Sequence, residues 1–144
     1  MILIAPYAQK LRNGKQNPKN YPYKNWTELI DLIQKPIIQV GLEGENKLVN
    51  DCRFNLSIQE LKNLIQECDT WISVDSMFQH LAWSCNKKGI VLFSQSNPDI
   101  FGHKENTNLL KDKIYLRHNQ FLWWEDTPYN SDAFVDPQEI IKYL

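Results

Sequence analysis

Short, mostly apolar runs recur along this chain, and each is followed by a turn signal and then by apolar residues at helical spacing. Ile2 to Ile4, Ile37 to Val40, Trp71 to Val74 and Gly89 to Phe93 have the length and continuity of strands buried on both faces, as in parallel sheets. Ile114 to Leu116 is a further strand candidate. Trp26, Leu29, Ile30 and Ile33 follow the helical period, and Asn25 with Glu28 three residues on predicts a capping box at the start of that helix. Ser57 and Glu60 repeat the pattern ahead of Leu61, Leu64, Ile65 and Cys68. A short helix is expected over Phe78 to Cys85, and a last one from Pro137 to Leu144, opened by Asp136 with proline at the first helical position. Tyr7 to Tyr23, with Gly14, Pro18 and Pro22 among polar residues, reads as a loop long enough to be functional or mobile.

Strand and helix therefore alternate, which predicts one α/β domain over residues 1–144: a Rossmann-like parallel sheet flanked by helices. Ligands of such sheets bind beyond the carboxyl ends of the strands, so the loops after Ile4, Val40, Val74 and Phe93 become the places to look.

Composition narrows the function classes. With 144 residues, 42% of them hydrophobic, and a net charge of −1, the chain has material for one core and lacks the broad basic face of a nucleic-acid binder. Charge is nonetheless uneven. No acid occurs from Met1 through Thr27, whereas Lys10, Arg12, Lys15, Lys19 and Lys24 all fall there, which suits either a phosphate-bearing ligand or a solvated basic loop. Cys52, Cys68 and Cys85 show no metal-ligand or redox spacing, which points to a reducing, cytoplasmic setting. His80, His103 and His118 also lack ligand spacing, so no metal is expected, and Ser76 lacks the glycines of a hydrolase nucleophile elbow. No apolar run is long enough to span a bilayer or to form a signal segment.

All four of those loops carry a resemblance. Trp71-Ile72-Ser73-Val74-Asp75-Ser76-Met77-Phe78-Gln79-His80-Leu81-Ala82 resembles the strand, D-[ST]-G-x-x-H-[LF]-A turn and helix of glycosyltransferase family 9, the ADP-heptose:lipopolysaccharide heptosyltransferases. Ile90 to Phe93 followed by Ser94-Gln95-Ser96-Asn97-Pro98 is similar to that family's strand and G-x-T-x-P loop. Lys24-Asn25-Trp26 resembles its K-x-W, and Gly41-Leu42-Glu43 the turn whose glutamate holds a ribose. The matches run in the family's order over about residues 1–105, and they correspond to the C-terminal half of a two-domain GT-B glycosyltransferase. Met77 and Ser94 stand where the family has glycine, which narrows the backbone's approach to a sugar or phosphate.

The resemblance implies a nucleotide-diphosphate sugar as substrate, inverting transfer and no cofactor or metal. It further implies that Lys24 faces the pyrophosphate, that Tyr7 and Ala8 offer backbone N–H groups beside it, and that Glu43 (or Glu45, equally placed) holds the ribose. Asp75 would bond sugar hydroxyls or cap the following helix. Ser76 would donate to a phosphate oxygen, and His80 would orient Asp75 or be a buried histidine bonded to a carbonyl. Ser94 and Ser96 join the donor-binding set as members of the fourth loop. Trp123-Trp124 would either stack on a base or sugar or pack the C-terminal tail onto the sheet. In the family the acceptor site and catalytic base lie mainly in the other domain. The catalytic residues are therefore left unassigned, and a partner chain or second copy is the expected source of the acceptor side. The alternative function is a binding protein that captures a nucleotide or nucleotide-sugar and transfers nothing.

Overall fold

Ile2–Ala5 (β1), Ile37–Gly41 (β2), Cys52–Phe54 (β3), Thr70–Val74 (β4), Ile90–Phe93 (β5) and Thr107–Leu110 (β6) form one sheet in the computed structural model, which describes residues 1–144. All neighbouring pairs are parallel, in the order β3-β2-β1-β4-β5-β6. The order reverses between β1 and β4, so the connections leaving those two strands part in opposite directions and open a crevice between them.

The apolar runs bury both of their faces. Ile2, Ile4, Ile72, Val74, Ile90 and Leu92 join one core with Trp26 and Leu29 of α1 (Tyr23–Leu32) and Ile140 of α5 (Pro137–Ile141). Leu3, Ala5, Trp71, Val91 and Phe93 join the other with Leu64 and Ile65 of α2 (Ile58–Glu67) and Phe78 and Ala82 of α3 (Met77–Ser84). This is the two-sided burial expected of continuous apolar strands. The Ser57–Glu60 capping box is present in both directions, at 3.1 and 3.2 Å. No helix is long and apolar enough to cross a membrane.

Several expectations are corrected. α1 starts at Tyr23 rather than behind Asn25: Pro22, extended at φ −56°, is its N-cap, and the Trp26 N–H donates to the Pro22 carbonyl at 3.0 Å. Asn25 therefore lies inside the first turn, and no side chain caps this helix. Lys113–Tyr115 is a single 3-10 turn with Ile114 77% exposed, so three apolar-looking residues there make no strand. The sixth strand is instead Thr107–Leu110, whose polar Thr107 and Asn108 hide it from an apolar-run reading. Cys52–Phe54, with Arg53 exposed in the middle, is a short edge strand of the kind periodicity misses. α5 ends at Ile141, three residues short of expectation, and α4 (Pro98–Phe101) adds one turn capped by the Asn97 side chain.

Gly89, leading into β5, lies against the fully buried Trp71, whose indole N–H donates to the Lys87 carbonyl at 3.0 Å. A Cβ at Gly89 would sit 2.2 Å from the indole ring. Gly89→Ala is expected to destabilise the fold by about 1–3 kcal/mol through overpacking, as measured by urea unfolding; an unchanged midpoint would contradict that packing.

Candidate functional site: a cleft at the carboxyl edge of the sheet

The loop after β1 is tied down rather than loose. Its Asn20 side chain accepts the Ala8 N–H at 2.8 Å, Asn17 donates to the Gln9 carbonyl at 2.8 Å, and the Ser94 hydroxyl donates to the Pro18 carbonyl at 3.2 Å. Two phenols, Tyr21 buried and Tyr129 partly so, pin its far end: Tyr21 donates to the Val135 carbonyl at 2.7 Å and Tyr129 to that of Asn20 at 2.9 Å. Burial pushes the Tyr129 hydroxyl up to about 12 and raises that of Tyr21 further, so both stay protonated donors.

The turn after β2 is positioned by Gln39, which is fully buried in the strand and bridges the Asn46 carbonyl (2.9 Å) and the Leu48 N–H (2.7 Å). That arrangement folds Glu45 back over Gly41, where any Cβ would lie 2.1 Å from the carboxylate oxygen Oε2. Oε2 is buried without a hydrogen-bond partner, and so is the Tyr7 hydroxyl. Burial raises the Glu45 carboxyl above its usual range; it also raises the Tyr7 phenol, with the Glu45 charge adding to that shift. The Asn46 side chain lies beside Tyr7, outside hydrogen-bond geometry.

Asp75, 4% exposed at the end of β4, is fully engaged. Its Oδ1 accepts from Gln79 at 2.7 Å, while Oδ2 accepts from the Ser96 hydroxyl at 2.8 Å and pairs with the Lys19 ammonium at 3.3 Å. It does not cap α3, whose N-cap is Ser76 and whose first turn carries no side-chain cap. The N-terminal N–H groups of α3 therefore remain for other acceptors. His80, one turn along, is exposed rather than buried: its Nδ1 lies 2.7 Å from His103 Nε2, and the His103 ring stacks on Trp83 at 4.6 Å. Partial desolvation of the ring and the neighbouring His103 lower the His80 pKa, against the pull of Asp75, and thereby favour the neutral ring.

Leu122 to Glu125 close the far side. The Arg12 guanidinium lies over Trp123 at 4.6 Å, while the Arg117 guanidinium (3.5 Å) and the Lys19 ammonium (4.9 Å) both lie over Trp124. The Arg12 N–H and the Asn13 amide reach the Glu125 side chain and carbonyl at 3.3 and 3.4 Å, joining the first loop to this segment. These walls enclose a cleft of about 1250 Å³.

Of the residues singled out from the sequence, Tyr7, Ala8, Glu43, Asp75, Ser76 and His80 line this cleft, and Lys24, Ser94 and Ser96 do not. Lys24 is exposed on the first turn of α1. The Ala8 N–H is consumed by Asn20, and the Ser94 and Ser96 hydroxyls by Pro18 and Asp75, so none of the three offers a free donor. Glu43 is exposed, whereas Glu45 turns inward. Met77, where the family has glycine, is 59% exposed at the cleft. Sequence reasoning missed Lys19, because an acid-free run of cations marks the loop but not the lysine that faces inward. Trp123 and Trp124 line the cleft instead of packing the tail onto the sheet. No group of three or more His, Cys, Asp or Glu side chains is close enough to hold a metal ion.

Comparison with known proteins adds the relatives. The model of glycosyltransferase family 9 (heptosyltransferase) matches residues 1–120. Lipopolysaccharide heptosyltransferase 1 of Salmonella typhimurium is 24% identical over 110 residues, covering 67% of this chain and 35% of that protein. Among solved structures, E. coli ADP-heptose lps heptosyltransferase II superposes with a TM-score of 0.68 at 18% identity, over 98% of this chain and 44% of that one. E. coli heptosyltransferase WaaC with ADP gives 0.60 at 17% identity, over 74% and 36%. The dodecameric iron-containing heptosyltransferase TibC, solved with ADP-D-beta-D-heptose, gives 0.61 at 12% identity, over 96% and 36%. The chain thus spans less than half the length of each.

Proposed function

Because this chain belongs to glycosyltransferase family 9, the heptosyltransferases, we propose that its cleft binds a nucleotide-diphosphate sugar as the donor for inverting sugar transfer. The observation that carries this reading is the pair of buried, unpartnered polar atoms at the ends of β1 and β2, the Tyr7 hydroxyl and Glu45 Oε2. Buried polar groups are costly without partners, so two of them lining one open cleft suit a ligand that brings hydroxyls. A ribose diol does so, and Glu45 takes the ribose role that the family resemblance gave to Glu43.

The rest of the cleft fits the remaining parts of such a donor. Ser76 to Phe78 bring the open N-terminus of α3 to the wall, where its N–H groups and the helix dipole favour a diphosphate. Charge on that leaving group grows as the glycosidic bond breaks, so fixed donors there stabilise the transition state more than the bound substrate. Asp75 and His80 lie beside the same helix start, within reach of the sugar.

Calorimetric titration with ADP and with an ADP-linked sugar tests this, using Glu45→Gln as the comparison. The variant is expected to bind both more weakly, by about tenfold or more, as loss of one hydrogen bond to a charged group implies. It should also melt higher at pH 7. A carboxyl raised above its ordinary value of 4.5 contributes stability below that value and loses it as pH rises through the folded-state pKa. The gain should therefore disappear near pH 4. Unchanged affinity in the variant would remove Glu45 from the ligand, and a wild type that binds no nucleotide would leave the proposal without support.

A further inference from the structure

We propose that His103, just beyond α4, is a positioning residue that holds His80 in the tautomer protonated on Nε2, so that His80 gives a hydrogen bond to an oxygen of the ligand in the cleft; the inference rests on the nucleotide-sugar reading above. His80 and Trp83 stand three residues apart on α3 and so share one face of that helix. His103 docks against both. Its ring stacks on Trp83 with centroids 4.6 Å and planes 9° apart, and it meets the His80 ring edge-on at 80°. The backbone there is fixed as well. The His103 carbonyl accepts from the Asn108 side chain of β6 at 2.9 Å and from the Asn106 N–H at 3.0 Å. The preceding Gly102 packs so closely that a Cβ would lie 2.7 Å from the Pro98 carbonyl oxygen.

The two rings meet through His80 Nδ1 and His103 Nε2 at 2.7 Å, a distance that requires one proton between them. Two arrangements of neutral rings satisfy it. With the proton on His103 Nε2, His80 is bare at Nδ1 and carries its own proton on Nε2. Both rings are then in the Nε2–H form that imidazole side chains prefer in water. With the proton on His80 Nδ1, both rings must take the less favoured Nδ1–H form. The first arrangement therefore wins. It makes His80, a residue that lines the cleft, a fixed donor at the ring nitrogen turned away from His103. Phosphate and sugar oxygens both accept such a bond, whereas a bare Nε2 would meet them lone pair to lone pair.

Imidazole NMR of the nitrogen-labelled 144-residue chain at neutral pH tests the pair directly. His80 is expected to be protonated on Nε2 alone, with nitrogen–nitrogen coupling across the bond to a protonated His103 Nε2. A proton on His80 Nδ1, or no coupling, would overturn the inference. Calorimetry with ADP-glucose on the wild type and on His80→Ala, His103→Ala, His103→Gln and the double alanine variant tests the consequence, each protein being checked for folding by circular dichroism. Each single alanine variant should bind about threefold or more weakly, as loss of one hydrogen bond implies. The double variant should be no weaker than His80→Ala, and His103→Gln, which keeps an N–H donor, should recover most of the affinity. Partial desolvation, His103 of the segment after α4 and Lys19 of the loop after β1 lower the His80 pKa, while Asp75 at the end of β4 raises it, so His103→Ala should move the His80 titration upward. Additive losses in the double variant, or an unmoved titration, would reduce His103 to packing and overturn the inference while leaving the nucleotide reading intact. A wild type with the ring signature but no affinity for ADP-glucose would end that reading and the donor role with it.

Discussion

Asp75→Ala is expected to lower the stability of the folded chain by about 3–5 kcal/mol, the range for removing one member of a buried ion pair. The size follows from what is left behind. The Lys19 ammonium, the Gln79 amide and the Ser96 hydroxyl all point at the 4%-exposed carboxylate, and an alanine would leave a cation and two neutral donors without their acceptor, with only the Lys19 side chain partly exposed to water. Asp75→Asn keeps one acceptor oxygen and most of the volume, so its cost should be clearly smaller. Urea unfolding of the three proteins checks this. A loss below about 1 kcal/mol for the alanine variant, the value of an exposed pair, would mean that water reaches Asp75 and that the network is not a unit. Because Asp75 also fixes Lys19 at the cleft, the asparagine variant should bind ADP more weakly even where it folds.

The second large effect concerns turnover. These 144 residues alone are expected to bind donor yet transfer sugar at least about a hundredfold more slowly than an assembly that also holds the acceptor, since a positioned base contributes roughly 10²–10⁴-fold and orientation several kcal/mol more. The walls of the cleft are the loops of one sheet edge and the Leu122–Glu125 segment, Asp75 is saturated by its three partners, and His80 is engaged with His103. Release of nucleoside diphosphate, followed with and without added acceptor, checks it. Rapid release that depends on a defined acceptor, from the chain fixed as a monomer, would show that one face suffices.

Most of the fold was legible because both of its cores are made by short runs of mostly apolar residues. Ile2–Ala5 and Ile90–Phe93 have no polar face to confuse the period, and the order of strands and helices then dictates a parallel sheet with its loops on one edge. The misses share a cause. Cys52–Phe54 and Thr107–Leu110 are the two edge strands, where a polar residue meets solvent at no cost, so hydrophobicity carries no signal. The site was legible as a set of loops and only partly as residues. Asp75 and Ser76 were singled out by a family resemblance at a strand end followed by a helix start, and Tyr7 by its place just past the first strand. Whether Glu43 or Glu45 turns inward depends on Gln39 gripping the turn from beneath, and whether Lys19 or Lys24 does so depends on where Asn17, Asn20 and Ser94 pin the loop. Those contacts join residues far apart in sequence, beyond the reach of local pattern.

The most direct test of the central claim, that the carboxyl edge of the sheet holds a nucleoside diphosphate, is an NMR titration of the isotope-labelled chain with ADP. The largest amide changes are predicted at Tyr7, at Gly41 to Asn46 and at Ser76 to Phe78, together with the Trp124 indole N–H, all of them residues that line the cleft. Absence of shifts at millimolar ADP would contradict the account. So would shifts gathered around Met1, Ile33 and Val49, which line a hollow at the opposite, amino-terminal edge.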